Sequence, residues 1–165
     1  MNIFVLLAVF LVLVFVVIAS PAFAKTLVVA SEFKGQLVHD GDKPATDQAL
    51  VRRWENAWTG KSGEQKTTTD EGGYFSFPKE VVKSFSAGFL PHAPSTVHKV
   101  YAVYPDGTEK EFWSLDKSSY EENSEFKLIA KDRQSYDVVC QLDKTWEDLK
   151  NEDGILYVSS CRFKD

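Results

Sequence analysis

Alternating apolar residues and closely spaced turn signals over residues 33–78 constrain the fold of this chain most strongly. Phe33, Gly35 and Leu37 alternate with polar side chains, a turn-like segment follows at residues 40–44, and β-forming residues resume at 49–54. A period of two is the pattern of a strand with one buried face, and Gly, Asp and Pro are typical turn residues. The pattern therefore predicts short antiparallel strands joined by tight turns.

The end of this region carries a more specific signature. Residues 67–78 read TTTDEGGYFSFP, in which a Thr-Asp pair is followed by Gly and an aromatic residue. Together with the preceding strands, this segment resembles the carboxypeptidase-regulatory-like domain, a transthyretin-like or Cna-B-like β-sandwich. The resemblance implies that Asp70 caps the turn, Gly73 permits the bend and Phe75 fills the core. Domains of this kind are generally binding or structural modules, although the resemblance covers less than half of residues 25–165.

The remaining sequence predicts further strands. Residues 97–104 and 110–115 form a hairpin pattern around an Asp-Gly turn, and strands are predicted at 124–130, 136–142 and 155–163. Residues 143–150 predict one short helix with Asp143 as its N-cap. We therefore expect residues 25–165 to form a single all-β domain, an antiparallel β-sandwich with extra C-terminal strands and one short helix.

The first 24 residues have the pattern of a secretory signal peptide. Residues 3–19 are almost entirely apolar, Pro21 interrupts the run, and Ala22-Phe23-Ala24 is a small-x-small cleavage pattern. We expect cleavage after Ala24, a periplasmic or secreted domain, and no stable membrane insertion after cleavage. The apolar run is longer than usual, so an uncleaved anchor is the alternative.

Two cysteines, Cys140 and Cys161, lie in predicted strands after this leader. An even number of cysteines in an oxidising compartment predicts a disulfide bond. A metal site and a redox pair are the competing interpretations. Neither is favoured, because the sequence has no clustered histidines and no C-x-x-C spacing.

Composition and motifs argue against several function classes. The net charge of −5 disfavours nucleic acid and anionic lipid as partners. The three histidines, His39, His92 and His98, match no metal or catalytic motif, and no nucleophile elbow or phosphate loop occurs. We therefore predict no catalytic residues, no metal and no cofactor.

Two segments are candidate interfaces. One is a strand face followed by a further aromatic residue, since Trp and Arg are enriched at binding hot spots. Its residues are Leu50, Arg52, Trp54 and Trp58. The other is the loop of residues 85–94, with Phe85, Phe89 and Leu90. For both segments, packing against the core is the alternative explanation.

These features predict a non-enzymatic protein-binding module of a Gram-negative envelope. Its most concrete form is a periplasmic immunity or inhibitor protein whose partner is a secreted toxin or hydrolase. The alternative is a structural or assembly accessory of the cell envelope that binds glycan through exposed tryptophans.

Overall fold

The computed structural model describes residues 3, 7, 10, 24–88, 90–130, 137–144, 147–150 and 156–164, and it is mostly β-structure. Its thirteen described strands are β1 (Lys25–Ala30), β2 (Phe33–His39), β3 (Lys43–Pro44), β4 (Ala49–Asn56), β5 (Lys61–Thr68), β6 (Tyr74–Phe77), β7 (Glu80–Ser84), β8 (Thr96–Val103), β9 (Glu109–Lys117), β10 (Val138–Gln141), β11 (Glu147–Lys150), β12 (Leu156–Ser159) and β13 (Cys161–Phe163). A 3-10 turn (Ser86–Gly88) and a helix α1 (Ser124–Ile129) complete the described elements. The all-β prediction is confirmed.

The larger layer is a six-stranded antiparallel sheet with the order β11-β12-β9-β8-β4-β5. Its centre is the predicted hairpin, β8 and β9, which pair from Thr96 opposite Lys117 to Val103 opposite Glu109. Strand β4 packs beside β8, and β5 forms the edge. Successive side chains of these strands point to opposite faces, so one face of the sheet is buried and the other meets solvent.

The second layer is built around β2, which pairs with β10 on one side and with β6 and β3 on the other. The β10–β2 pair is parallel, and β13 extends the sheet beyond β10. Strands β1 and β7 form a separate antiparallel pair. Because β1 leads into β2 and β6 leads into β7, these four strands are one long strand pair interrupted at residues 31–32 and 78–79.

Two apolar clusters lie between the layers. The larger one joins the aromatic side chains of β2, β6 and β9 to helix α1, and Phe33 contacts Phe75, Trp113 and Phe126 with ring centroids 5.0–5.9 Å apart. The smaller cluster contains Leu27, Val29, Trp54, Val82 and Ala87. The interruption of the long strand pair therefore divides the core into two parts.

Two predicted elements are wrong in type. Residues 124–129, predicted as a strand, form helix α1, in which Ser124, Glu125 and Phe126 are all buried. The predicted helix at 143–150 is also wrong, because Glu147–Lys150 is strand β11, paired with β12. Asp143 does not cap a helix there, since its carboxylate accepts hydrogen bonds from His39 and the Asp40 backbone. In both segments tertiary contacts override local propensity.

Most of the predicted leader, residues 1–24, lies outside the described residues, as does Phe89. Within the described part of the chain, no helix has both the length and the apolar character needed to span a bilayer.

The two cysteines form a disulfide between neighbouring strands. Cys140 of β10 lies directly opposite Cys161 of β13, and the bond joins residues 21 positions apart. Both sulfur-bearing residues are buried beside the larger core cluster. The disulfide therefore fastens β13 to the central strands of the second layer.

We expect the double substitution Cys140→Ala and Cys161→Ala to lower the free energy of unfolding by roughly 3 kcal/mol, because opening a loop of this length increases the entropy of the unfolded chain. Urea unfolding of the oxidised protein and the double variant measures the difference. Added reductant should destabilise the natural protein and leave the variant unchanged. An equal response of both proteins would contradict a stabilising role for the bond.

The turn before β6 is built by Asp70 and Gly73. The Asp70 carboxylate accepts hydrogen bonds from the backbone N–H groups of Gly72, at 2.9 Å, and Tyr74, at 2.8 Å. Gly73 has a φ of 74°, and its carbonyl accepts a hydrogen bond from the Leu37 N–H at 2.8 Å. Phe75 then enters the core. Asp70 therefore caps the turn, Gly73 permits it and Phe75 fills the core.

Gly73→Ala should be much more destabilising than Gly107→Ala, although both glycines have positive φ. A Cβ at Gly73 would lie 2.4 Å from the Leu37 carbonyl oxygen, whereas one at Gly107 would meet nothing within 4 Å. We expect a loss of about 1 kcal/mol at Gly107 from backbone strain and at least twice that at Gly73. Chemical denaturation of the two variants tests this, and equal losses would show that strain alone governs both turns.

Candidate functional site

The predicted strand-face interface is wrong for three of its residues, because the fold buries Leu50, Arg52 and Trp54. Their exposed fractions are 1%, 0% and 6%, respectively. They occupy alternate positions of β4 that face the second layer, and β4 lies one strand in from the edge of its sheet. Packing against the core, the alternative explanation, accounts for these side chains.

Arg52 has a definite structural role at the interruption of the long strand pair. Its guanidinium donates hydrogen bonds to the backbone carbonyl of Ser31, at 2.7 Å, and to that of Pro78. It also donates to the Gln65 side chain, which in turn bonds Glu80. Burial lowers the Arg52 pKa to about 10, although Glu125 and Glu80 oppose this shift, so the side chain is cationic at neutral pH.

Glu125 and Lys117 complete this buried cluster. The Glu125 carboxylate accepts a hydrogen bond from the Ser31 N–H at 3.0 Å and pairs with the Lys117 ammonium group. Lys117 also donates to the Ser124 hydroxyl at 2.8 Å and to the Glu121 carbonyl. Burial lowers the Lys117 pKa, with Glu125 opposing the shift. Burial raises the Glu125 pKa, but His98, Lys117 and hydrogen bonding hold it below its ordinary value overall.

Shifted pKa values often mark active sites, but here the groups are sealed from solvent. Lys117 and Glu125 are both 0% exposed, so a substrate in solution cannot reach either charge. Glu125 and Arg52 bind backbone groups at the interruption, namely the Ser31 N–H and the carbonyls of Ser31 and Pro78, which would otherwise be buried without hydrogen bonds. Lys117 in turn neutralises the Glu125 carboxylate. The cluster therefore holds the two layers together. The sequence patterns do not indicate roles for Lys117 and Glu125, although Lys117 continues the alternation of Trp113 and Leu115 into the core.

The stability of the protein should decrease between about pH 6.5 and pH 4, because burial lowers the His98 pKa from 6.5 to about 4. In this range His98 is protonated in the unfolded chain but neutral in the folded chain, so the free energy of unfolding rises with pH. The contribution of His98 amounts to up to roughly 3 kcal/mol at neutral pH. Urea unfolding at several pH values measures the slope, and His98→Gln should flatten it.

The half-exposed His39 offers a matched control for this experiment. His39→Gln makes the same substitution at a half-exposed site and should retain the part of the slope that His98 supplies. A loss of stability in His98→Gln that is equal at every pH would leave the slope unchanged. If His98→Gln and the natural protein showed the same slope, His98 would not be the group responsible.

A different set of predicted residues does come together at one end of the sandwich. The Trp58 ring, in the β4–β5 turn, stacks on His92 with ring centroids 4.3 Å apart and an interplanar angle of 19°. The ring centroid of Tyr120, a residue that follows β9, lies 5.5 Å from that of His92. Trp58 and the loop of residues 85–94, predicted as separate features, therefore form one surface.

Asn56 fixes this end of the fold. It is fully buried, and its side-chain amide donates to the Thr96 hydroxyl at 2.8 Å and to the Tyr120 hydroxyl at 3.3 Å. Its side-chain oxygen accepts a hydrogen bond from the Thr59 N–H at 2.9 Å. One buried amide thus connects the β4–β5 turn, the start of β8 and the segment after β9.

The loop is attached to Trp58 by a hydrogen bond as well as by the ring stacking, and its Phe85 and Leu90 side chains are exposed. The Trp58 indole N–H donates to the Ser86 hydroxyl at 3.2 Å, and His92 Nδ1 lies 2.9 Å from the Leu90 carbonyl. Phe85 is 40% exposed and Leu90 is 54% exposed. We call the surface formed by these side chains the aromatic end; it comprises Trp58, Phe85, Leu90, His92 and Tyr120.

The three histidines do not take part in a metal-binding cluster within the described part of the chain. His39 pairs with Asp143 at 3.0 Å, across the turn that follows β2. Nowhere among the described residues do three His, Cys, Asp or Glu side chains group in a way that could hold a metal ion.

Comparison with known proteins identifies a family. Residues 33–145 match the family model described as Domain of unknown function (DUF6795), and the chain belongs to this family. No curated protein and no solved structure matches the chain. The matched segment contains the buried charge cluster and the whole aromatic end.

Proposed function

We propose that this chain is an exported, non-enzymatic module that binds a protein partner through the aromatic end. The observation that carries the proposal is the meeting of Trp58 with the loop of residues 85–94, which leaves Phe85 and Leu90 exposed beside a stacked Trp–His pair. Aromatic side chains supply most of the energy of many protein interfaces. Exposed apolar side chains grouped at one end are typical of such a contact.

Preorganisation supports this interpretation. The Trp58 ring is held by its stacking on His92 and by its hydrogen bond to Ser86. The turn that carries it is fixed by buried Asn56. A partner would therefore not have to immobilise these side chains on binding, which reduces the entropic cost of association.

For the partner we propose a secreted toxin or hydrolase, with this chain acting as an immunity or inhibitor protein. The signal-peptide pattern and the disulfide favour an oxidising compartment, where such a partner would be met. The net charge of −5 favours a partner with a basic surface around its cleft. The resemblance to carboxypeptidase-regulatory-like domains also favours binding over catalysis, by analogy of fold.

The test is affinity capture from periplasmic extract and culture supernatant with the tagged protein, followed by an inhibition assay on the captured partner. We expect one stoichiometric toxin or hydrolase whose activity falls when the purified protein is added. Trp58→Ala and Leu90→Ser should each weaken binding at least tenfold, which corresponds to about 1.4 kcal/mol.

Tyr74→Ala is the matched control, because Tyr74 is an exposed aromatic residue on β6, which belongs to a different sheet from the strands that flank Trp58. It should bind the partner as the natural protein does. Undiminished binding by Trp58→Ala and Leu90→Ser would show that another surface makes the contact. Retention on isolated cell-wall glycan, lost in Trp58→Ala and without a protein partner, would instead support the envelope accessory role.

A further inference from the structure

Strand β5 is a regular edge strand that has neither a proline nor a bulge, and its charged side chains include both signs. Among the described strands it pairs only with β4, over all eight residues and without a bulge. It contains no proline, and its backbone follows the regular register of its neighbour. A long, regular edge exposes a row of backbone donors and acceptors that can pair with another strand.

The side chains on this edge are complementary to themselves. Glu64 and Lys66 lie on the same face of β5, and their charged groups are 3.0 Å apart. If a second copy of β5 ran antiparallel with Gln65 opposite Gln65, each Glu64 would lie opposite a Lys66 of the other strand. Directly opposite residues in such a pair have Cβ atoms about 5 Å apart, so both ion pairs could form.

We infer that the protein forms a symmetric dimer through antiparallel pairing of β5 with β5 of a second copy. The twofold axis passes beside Gln65, and the two large sheets join into one continuous sheet. In this register the solvent-facing side chains of the two copies lie on the same face of the joined sheet. A shift of the pairing by one residue would place the solvent-facing side chains of one copy opposite the buried side chains of the other. A twofold axis requires a self-complementary surface, and the order Glu-Gln-Lys supplies it.

The dimer would leave both partner-binding surfaces free. The β4–β5 turn, which carries Trp58, lies at one end of β5, and the twofold axis places the second turn at the opposite end of the joined strands. At about 3.3 Å per residue, the two turns are roughly 30 Å apart. The dimer is therefore independent of the proposed function, and either can fail without the other.

Sedimentation of the protein as purified from expressing cells, from about 1 µM to about 500 µM at low salt, tests the inference. We expect a reversible dimer with a dissociation constant on the order of 10 µM, since a pair of short strands buries less than a standard interface. Lys66→Glu should weaken the dimer at least tenfold, because Glu64 would then face a second carboxylate. Lys66 is suitable because its side chain is 74% exposed and its ion pair is with Glu64 of the same strand.

Lys61→Glu is the matched control, since it changes the net charge equally on the same strand but would lie opposite the uncharged Thr69 of the other copy. It should leave the dimer intact. Glu64→Lys should also prevent self-association. It removes the ion pair of Glu64 with Arg53, at 2.8 Å, whereas the contacts of Arg53 with Glu109, at 2.6 and 2.7 Å, can remain. An equimolar mixture of Lys66→Glu and Glu64→Lys should form a heterodimer, because an acidic edge then meets a basic one.

A protein that remains monomeric across the concentration range would overturn the inference. So would a dimer that Lys66→Glu does not weaken, or two variants that fail to associate when mixed. Circular dichroism and urea unfolding of each variant establish that the folded monomer is retained.

Discussion

The architecture depends on how the protein satisfies the backbone at the interruption of its long strand pair. At residues 31–32 and 78–79 the ladder between β1–β2 and β6–β7 stops, and its polar groups face the opposite layer. Arg52 binds the carbonyls of Ser31 and Pro78, and Glu125 binds the Ser31 N–H. Since an unpaired buried backbone group costs about 1–3 kcal/mol, these side chains make the interruption possible.

The same charges explain why helix α1 is where it is. A carboxylate is needed to neutralise Lys117 and to accept from the Ser31 N–H, and Glu125 supplies it from the first turn of α1. Phe126, the next residue, packs into the larger core cluster. Removing one member of a buried ion pair leaves the other charge uncompensated, which is far more damaging than replacing both. Helix α1 and the interruption of the strand pair are therefore coupled through the Ser31–Glu125–Lys117 contacts.

The sequence predicts most of the strands correctly, but it does not predict helix α1 or the buried charged side chains. Alternation locates β2, β4, β8 and β9, and the Asp70 turn is recognisable from its residue types. The same alternation misleads at residues 124–129, where Phe126 and its neighbours look like a strand but Glu125 is recruited into the core by Lys117. It also misplaces Arg52, because a cationic side chain on a strand suggests exposure unless its buried partners are known. In both cases the deciding partners lie on other elements of the fold.

The aromatic end shows a second limit of prediction from the sequence, which concerns contacts between segments. Trp58 and the loop of residues 85–94 are each noticeable in the sequence, yet nothing local indicates that they meet, since Ser86 and His92 reach Trp58 only through the tertiary fold. Asn56, two residues after Trp54 on the same buried face of β4, contributes by bonding the β4–β5 turn, the start of β8 and Tyr120. A polar residue buried at the end of a strand thus holds the turn that carries Trp58, and the contacts of Trp58 with Ser86 and His92 then join this turn to the loop.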